Sequence, residues 1–157
     1  MSPPKETVTV RFAQEADKQQ WLDRWELYNQ FYKRTVPANV TAEQWRRFLD
    51  PASPVYCAVA VNSEMPEGAN VVGFVTWLPH IYTGSIEDIV YLHDLWSDVT
   101  QRNGGTGRKL IEFVYQDSKE KGIKSVYWHT QHFNHPAQLL YTKVGNKTDF
   151  VQYKHDL

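Results

Sequence analysis

The sequence predicts an α/β fold of the α+β type, with a mixed, mostly antiparallel sheet and helices on both of its faces. Short β-branched runs alternate with longer segments whose apolar residues recur at helical spacing. Strand-like runs follow one another directly in the middle of the chain, whereas helices separate the later ones, as in β-α-β units. A length of 157 residues with 41% hydrophobic residues suits one core. We therefore expect a single domain over residues 1–157, with residues 1–6 as a flexible tail.

The N-terminal part is predicted to form one strand and two helices. The run Thr7–Phe12 alternates and is rich in β-branched residues, which is typical of a strand. Asp17 is the expected N-cap of a helix in which aromatic residues recur at helical spacing as far as Lys33. The Thr-Ala-Glu-Gln run at 41–44 has the form of a capping box and predicts a short helix ending near Leu49.

The middle and C-terminal parts supply the remaining elements. Strands are predicted at 55–62 and 71–78, and the turn between them, with Pro66 and Gly68, makes them a hairpin. A longer strand follows at 89–96. The later elements are a helix at 105–121, a strand at 124–129, a helix at 136–144 and a last strand at 147–153.

Composition and charge argue against several classes of function. A formal net charge of −1 gives no support for nucleic-acid binding. No apolar run approaches the roughly 20 residues of a membrane span, and the N-terminus lacks the pattern of a signal peptide. The single cysteine, Cys57, and the absence of zinc-type spacing predict no metal site. We expect a cytoplasmic protein, with the nucleus as the alternative.

The glycine-rich stretch Arg102–Gly107, Arg-Asn-Gly-Gly-Thr-Gly, joins a predicted strand to a predicted helix. A helix N-terminus leaves N–H groups without partners and carries partial positive charge, so a glycine turn there favours an anion such as a cofactor phosphate. The spacing is neither that of a P-loop nor that of a dinucleotide fingerprint. A tight turn that binds nothing is the alternative interpretation.

A second segment, Asn134–Gly145, reads Asn-His-Pro-Ala-Gln-Leu-Leu-Tyr-Thr-Lys-Val-Gly. Together the two segments resemble the motifs R/Q-x-x-G-x-G/A and N-x-x-A-x-x-L/F-Y-x-K-x-G of the GCN5-related N-acetyltransferase (GNAT) family. The chain is most similar to a fungal group of histone, polyamine and D-amino-acid acetyltransferases. The resemblance implies the GNAT fold, with a splayed pair of central strands, and acetyl-CoA as cosubstrate.

The resemblance also implies which residues hold acetyl-CoA. The glycine turn would bind the pyrophosphate through backbone N–H groups, and the end of the preceding strand would pair with the pantetheine arm and polarise the thioester carbonyl. The second segment would contact pantetheine and the thioester sulfur. The implied cofactor-binding residues are Leu95, Trp96, Ser97, Arg102, Asn103, Gly104, Gly105, Thr106, Gly107, Arg108, Asn134, Ala137, Tyr141 and Lys143.

The implied chemistry is direct acetyl transfer to an amine, which needs a base for the ammonium and an acid for the leaving thiolate. Tyr141 is the candidate acid, and an aromatic packed between helix and sheet is the alternative. His93 and Asp94 occupy positions where similar polyamine enzymes carry Glu-Asp. Because successive strand residues point to opposite faces, we expect only one of them to face the cleft. His93 has the more suitable ordinary pKa, about 6.5, whereas Asp94 would hold a cationic substrate or act through water.

The acceptor side is less defined by the sequence. Tyr28, Tyr32, Trp77 and Tyr82 are candidate substrate-binding residues, with core packing of the first helix as the alternative for the tyrosines on it. The expected acceptor is a small primary amine: a polyamine, an amino acid or an amino sugar. A protein or histone lysine acetyltransferase and a non-catalytic acyl-CoA-binding domain are the alternatives. We expect a homodimer in which the last strand pairs across the interface.

Overall fold

The computed structural model describes residue 2, residues 6–98, residue 100 and residues 105–157. Five strands form one sheet in the order β1-β2-β3-β4-β5, antiparallel from β1 to β4 and parallel between β4 and β5. The strands are β1 (Val8–Phe12), β2 (Tyr56–Asn62), β3 (Val71–His80), β4 (Ile89–Ser97) and β5 (Val126–Tyr127). The helices are α1 (Lys18–Phe31), α2 (Ala38–Leu49), α3 (Thr106–Glu120) and α4 (His135–Val144). The predicted mixed sheet with helices is confirmed.

Helices cover both faces of the sheet because the side chains of the central strand β3 alternate between two cores. Val75 and Trp77 pack with Leu110 of α3 on one face. Phe74 packs with Trp21 of α1 on the other face, where α2 also lies. Each fully buried large apolar side chain stabilises the fold by roughly 1.5–3 kcal/mol.

The helix predicted from the capping box at 41–44 begins earlier than expected, at Ala38. Pro37 occupies the position before its first turn, where a fixed φ near −65° suits a helix entry. Thr41 therefore lies inside the helix, and its Oγ1 accepts a hydrogen bond of 3.0 Å from the Trp25 indole instead of capping. The capping-box assignment is wrong because a tertiary contact uses the hydroxyl.

Strands β4 and β5 separate soon after they meet. Their pairing is confined to Val90 with Val126 and Tyr91 with Tyr127, so β5 is shorter than the predicted strand 124–129. β4 continues to Ser97, and beyond Tyr91 no described strand pairs with the edge that faces away from β3. The predicted splayed pair is thus present, and it leaves backbone groups of β4 free to pair with something else.

The last predicted strand, 147–153, is wrong for the single chain. Residues 146–157 form no strand, and the Phe150 and Tyr153 side chains are 91% and 92% exposed. A strand needs a partner for its backbone, and no described strand of the same chain lies beside this segment.

Within the described residues, no helix combines the length and apolarity that a membrane crossing requires.

Candidate active site

A β-bulge in β4 brings His93 and Asp94 together. Thr76 pairs with Asp94 and Trp77 pairs with Leu92, so the register shifts and leaves His93 as the extra residue. The two side chains meet, with His93 Nδ1 3.1 Å from Asp94 Oδ1. Strict alternation holds only in a regular strand, so the bulge does not separate the two side chains. That only one of them faces the cleft stays a prediction.

Asp94 lies at the centre of a polar network under the α1 face. The Thr76 hydroxyl donates to one carboxylate oxygen, His93 contacts the other, and the Tyr28 hydroxyl lies close enough to favour the charged carboxylate. Burial disfavours the charge on Asp94, yet the interactions with these three residues outweigh that effect and hold its pKa below the ordinary value. Asp94 is therefore a buried anion whose two carboxylate oxygens already interact with other side chains.

His93 is the accessible member of the pair. Its side chain is 50% exposed, whereas that of Asp94 is 8% exposed. The hydrogen bond to Asp94 raises the pKa of His93, against opposing effects of burial and of the Arg34 charge. If His93 is bonded to Asp94 through an Nδ1–H, then Nε2 is the nitrogen able to accept a proton.

Aromatic side chains surround this pair. The Tyr91 and His93 rings contact each other at 5.3 Å, and the Tyr28 and Tyr32 rings at 4.9 Å. We call Tyr28, Tyr32, Tyr91, His93 and Asp94 the β4 cluster. Tyr28 is buried and Tyr32 is half-buried. The aromatic residues of α1 therefore pack in the core near the start of the helix and join the β4 cluster near its end.

Tyr141 on α4 packs against the core on the α3 face of the sheet. Burial, with a smaller effect of the nearby Tyr32, raises the pKa of Tyr141 to about 12. Its hydroxyl makes no hydrogen bond to the described part of the chain, so this neutral phenol retains a proton to donate. The ring packs edge-on against Trp128 with centroids 5.6 Å apart.

The glycine that ends the second motif holds this arrangement in place. A Cβ at Gly145 would lie 2.8 Å from Cη2 of Trp128, the ring on which Tyr141 rests. The Tyr115 hydroxyl donates a 2.6 Å hydrogen bond to the Val144 carbonyl and ties the end of α4 to α3. The close approach of Trp128 therefore requires glycine at 145.

The start of α3 has the features of an anion site. Gly105 adopts φ +66°, and no side chain caps the helix. The hydrogen bond from Lys109 N to Gly105 O closes the first turn of α3. The Thr106 hydroxyl is buried without a hydrogen-bond partner among the described residues. Unpaired N–H groups and an unpaired buried hydroxyl at a helix N-terminus suit the pyrophosphate of CoA.

The two motifs meet at this corner. A Cβ at Gly107 would lie 3.0 Å from Leu140 Cδ2 and 3.9 Å from Ser97 Oγ, so α3, α4 and the end of β4 converge. The unpaired edge of β4 at Leu95 to Ser97 borders the same corner. These residues fit acetyl-CoA, with phosphates at α3 and the pantetheine arm along β4.

Other predicted cofactor residues have structural partners or lie outside the described part. Asn134 caps α4, its Oδ1 accepting from Ala137 N at 3.5 Å. Arg108 pairs with Glu112 at 2.8 Å, and Lys143 is exposed. Arg102, Asn103 and Gly104 lie outside the described residues.

Two of the predicted substrate residues lie away from the β4 cluster. Trp77 is fully buried in the core beneath α3, and its indole donates to Asp117 at 3.2 Å. It therefore cannot line an acceptor pocket, and this assignment is corrected: alternation along β3 directs Trp77, like Val75, toward α3. Tyr82 is exposed in the loop after β3, and its role stays a prediction.

Sequence reasoning missed Thr76 and Arg34. Thr76 is the polar residue of an otherwise apolar run in β3, which was the available signal. Arg34 follows α1, and its guanidinium lies 5.4 Å from the ring centres of both Trp25 and Tyr28. Nothing in its local sequence distinguishes it from other surface arginines.

Two surface grooves are separate from this site. One of about 430 Å³ lies between the start of α1 and α2, and one of about 270 Å³ lies between α3 and β5. Neither is lined by a residue of the β4 cluster or by Tyr141. The chemistry of the side chains, rather than cavity size, locates the site.

Comparison with known proteins agrees with this geometry. Residues 17–145 match the Acetyltransferase (GNAT) family. The D-amino-acid N-acetyltransferase HPA3 of Saccharomyces cerevisiae is 40% identical over 149 residues, which are 95% of this chain and 91% of the relative. The uncharacterised N-acetyltransferase YhfO of Bacillus subtilis is 24% identical, over 93% of this chain and 95% of the relative.

Solved structures share the fold. An aminoglycoside acetyltransferase from an uncultured soil metagenomic sample, in complex with sisomicin, superposes with a TM-score of 0.78 at 18% identity, covering 96% of this chain and 97% of the other. AAC(6')-Iy in complex with the bisubstrate analogue CoA-S-monomethyl-acetylneamine gives a TM-score of 0.78 at 16% identity, covering 96% of this chain and 98% of the other.

Proposed function

This chain belongs to the Acetyltransferase (GNAT) family, and we propose that it transfers the acetyl group of acetyl-CoA directly to the primary amine of a small molecule. The observation that carries the proposal is that the chain holds an imidazole bound to a carboxylate, His93 on β4, and a protonated phenol, Tyr141 on α4. Both elements flank the start of α3. The name of the yeast relative favours an amino acid as acceptor.

The cosubstrate supplies the acetyl group as a thioester. Thr106, Gly107 and the other N–H groups at the start of α3 would hold its phosphates, and the free edge of β4 would hold its arm. Both parts are rigid elements of the core, so they orient the reacting carbon between α4 and β4.

His93 acts as the base in this mechanism. Nε2 takes a proton from the acceptor ammonium and frees the amine lone pair for attack. Asp94 keeps the ring in one tautomer and stabilises the imidazolium that forms. Asp94 is thus a positioning residue and not the base.

Tyr141 acts as the acid. A phenol whose pKa is raised to about 12 stays protonated at neutral pH, and it gives its proton to the sulfur as the C–S bond breaks. The proton that the new amide nitrogen loses then restores the phenol. Tyr32 contributes to the raised pKa of Tyr141, and Asp94 in turn raises the pKa of Tyr32, which supports a site shared by Tyr141 and the β4 cluster.

Thiol release from acetyl-CoA tests the proposal. Purified protein is assayed with spermidine, D- and L-amino acids, an aminoglycoside and a histone-tail peptide. Release with one of the small amines supports the proposal. Release with the peptide alone favours the protein-acetyltransferase alternative, and tight CoA binding without release for any amine contradicts catalysis.

We also propose a homodimer, formed through the C-terminal segment 146–157. Its exposed apolar side chains need cover, and the outer edge of β5 has no partner among the described strands. Pairing of this segment with a second copy satisfies both. A cytoplasmic location with the nucleus as the alternative, and the absence of nucleic-acid and membrane partners, stay predictions from composition.

A further inference from the structure

Arg34 carries a positive charge without a carboxylate partner in the described part of the chain. Arg11, Arg46, Arg47 and Arg108 all pair with acidic side chains at 2.7–3.2 Å. Among the described residues, the Arg34 side chain donates one hydrogen bond, from Nε to Asn29 Oδ1 at 2.7 Å. Both terminal nitrogens therefore remain available, and they form the end of the guanidinium that binds a carboxylate bidentately.

The chain holds Arg34 in this place by an unusual turn. Lys33 adopts φ +53°, the left-handed conformation that favours glycine at a helix end. Lys33 N bonds to Gln30 O at 3.0 Å and Arg34 N bonds to Asn29 O at 3.1 Å, which is the Schellman pattern. The turn folds Arg34 back over the Trp25 and Tyr28 rings, and Asn29, which is buried, fixes its Nε.

A short chain of contacts joins Arg34 to the base. The guanidinium lies over the Tyr28 ring, the Tyr28 hydroxyl helps to lower the pKa of Asp94, and Asp94 bonds to His93. The charge of Arg34 also opposes protonation of His93, as expected for two groups that border one region. A cation held by Asn29 and by the Tyr28 ring therefore borders the β4 cluster.

We propose that Arg34 binds the carboxylate of an α-amino-acid acceptor while His93 receives the proton of its ammonium. This inference rests on the proposed function and names its substrate class. An α-amino acid presents an anion and an amine one carbon apart, and a guanidinium beside a base matches that pattern. A polyamine presents only cations, which the same charge repels.

The test compares free acids with their carboxamides, because the two differ only in the group that Arg34 would bind. D-alanine and D-phenylalanine are assayed with D-alaninamide and D-phenylalaninamide, using wild type, Arg34→Gln and Arg34→Lys. Arg34→Gln raises KM for the acids roughly 10- to 100-fold, the size expected for a charged hydrogen-bonded pair, and changes KM for the amides less than about 2-fold. Arg34→Lys recovers part of the loss, since it restores charge without the planar fork.

Lys33→Gln is the matched control, because it removes a neighbouring positive charge from the same turn and keeps a non-glycine side chain at the same backbone conformation. It leaves the ratio of acid to amide KM unchanged. Thermal unfolding of each variant shows whether the turn survives.

The inference is overturned if Arg34→Gln raises KM equally for acids and amides, which is the result of a purely structural turn. It is also overturned if wild type uses amides better than acids, or if Lys33→Gln reproduces the effect. Absence of thiol release by wild type with every amine overturns the proposed function as well, so the two failures are distinguishable.

Discussion

At the residue scale, the role of Asp94 can be separated from that of His93 by the pH profile. Asp94 raises the pKa of His93, and the base works only when neutral, so kcat/KM falls as the pH drops through that raised pKa. Asp94→Asn removes the carboxylate, lowers the pKa of His93 and moves the acid limb of the profile to lower pH. kcat also falls, because the ring loses its orientation.

Asp17→Asn is the control for this shift. Asp17 is another buried carboxylate, and its hydrogen bonds go to Arg11 and to the Gln14 backbone, not to the β4 cluster. Its loss destabilises the fold without moving the acid limb. If the acid limb of the pH profile stays in place in Asp94→Asn, the positioning role of Asp94 is ruled out.

The Tyr141 hydroxyl is the second residue whose role can be isolated. Tyr141→Phe keeps the ring on Trp128 and removes only the proton donor. We expect kcat to fall about 100-fold or more, the usual contribution of a general acid, while the Kd for CoA changes little. Stopped-flow turnover and calorimetry measure the two quantities, and unchanged turnover would show that another group protonates the sulfur.

At the scale of elements, helix α3 offers a paired test of the phosphate site. Gly105 at its start and Gly122 past its end both have positive φ, +66° and +75°, and both have open space where a Cβ would stand. Glutamate at either position carries a similar backbone strain of about 1–2 kcal/mol, but a negative charge disturbs only an anion site. Gly105→Glu weakens CoA binding by at least about tenfold, corresponding to 1.4 kcal/mol, whereas Gly122→Glu retains it.

Equal CoA affinity in the two variants, measured by calorimetry on folded protein, would show that α3 does not bind the phosphates. Equal loss in both would show that strain, and not charge, is responsible.

The turn after α1 carries a stability prediction of its own. Lys33 is the non-glycine residue with positive φ among those the structure describes. Lys33→Gly relieves the steric penalty of that conformation and raises the free energy of unfolding by up to about 1 kcal/mol. Urea unfolding measures the change, and a decrease would indicate that the Lys33 side chain stabilises the turn.

At the scale of the whole molecule, the C-terminal segment decides the oligomeric state that we propose. Deletion of residues 147–157 removes exposed apolar side chains, including Phe150 and Tyr153, and no described strand. Light scattering after gel filtration is expected to give a dimer for the full chain and a folded monomer for the deletion. A dimer that persists in the deletion would place the interface elsewhere.

The sequence by itself determined the order of the elements and the location of both motifs. Period-2 and helical spacing reflect burial on one face of a strand or helix, which is a local property. The strands up to β4, the helices α1, α3 and α4, and the link between Gly105 and the start of α3 were therefore predictable. The capping box at 41–44 failed because a distant indole used the Thr41 hydroxyl.

Only the tertiary structure decided how the site is assembled. A single extra residue in β4 placed His93 and Asp94 side by side. Alternation along β3 placed Trp77 in the core on the α3 face of the sheet. The left-handed turn at Lys33 brought Arg34 over Tyr28, and separation of β4 from β5 freed the edge beside the motifs. Register shifts and strand separation depend on pairing between segments distant along the chain, so local sequence patterns do not encode them. The Lys33 turn is local, but it lacks the glycine that usually marks such a turn.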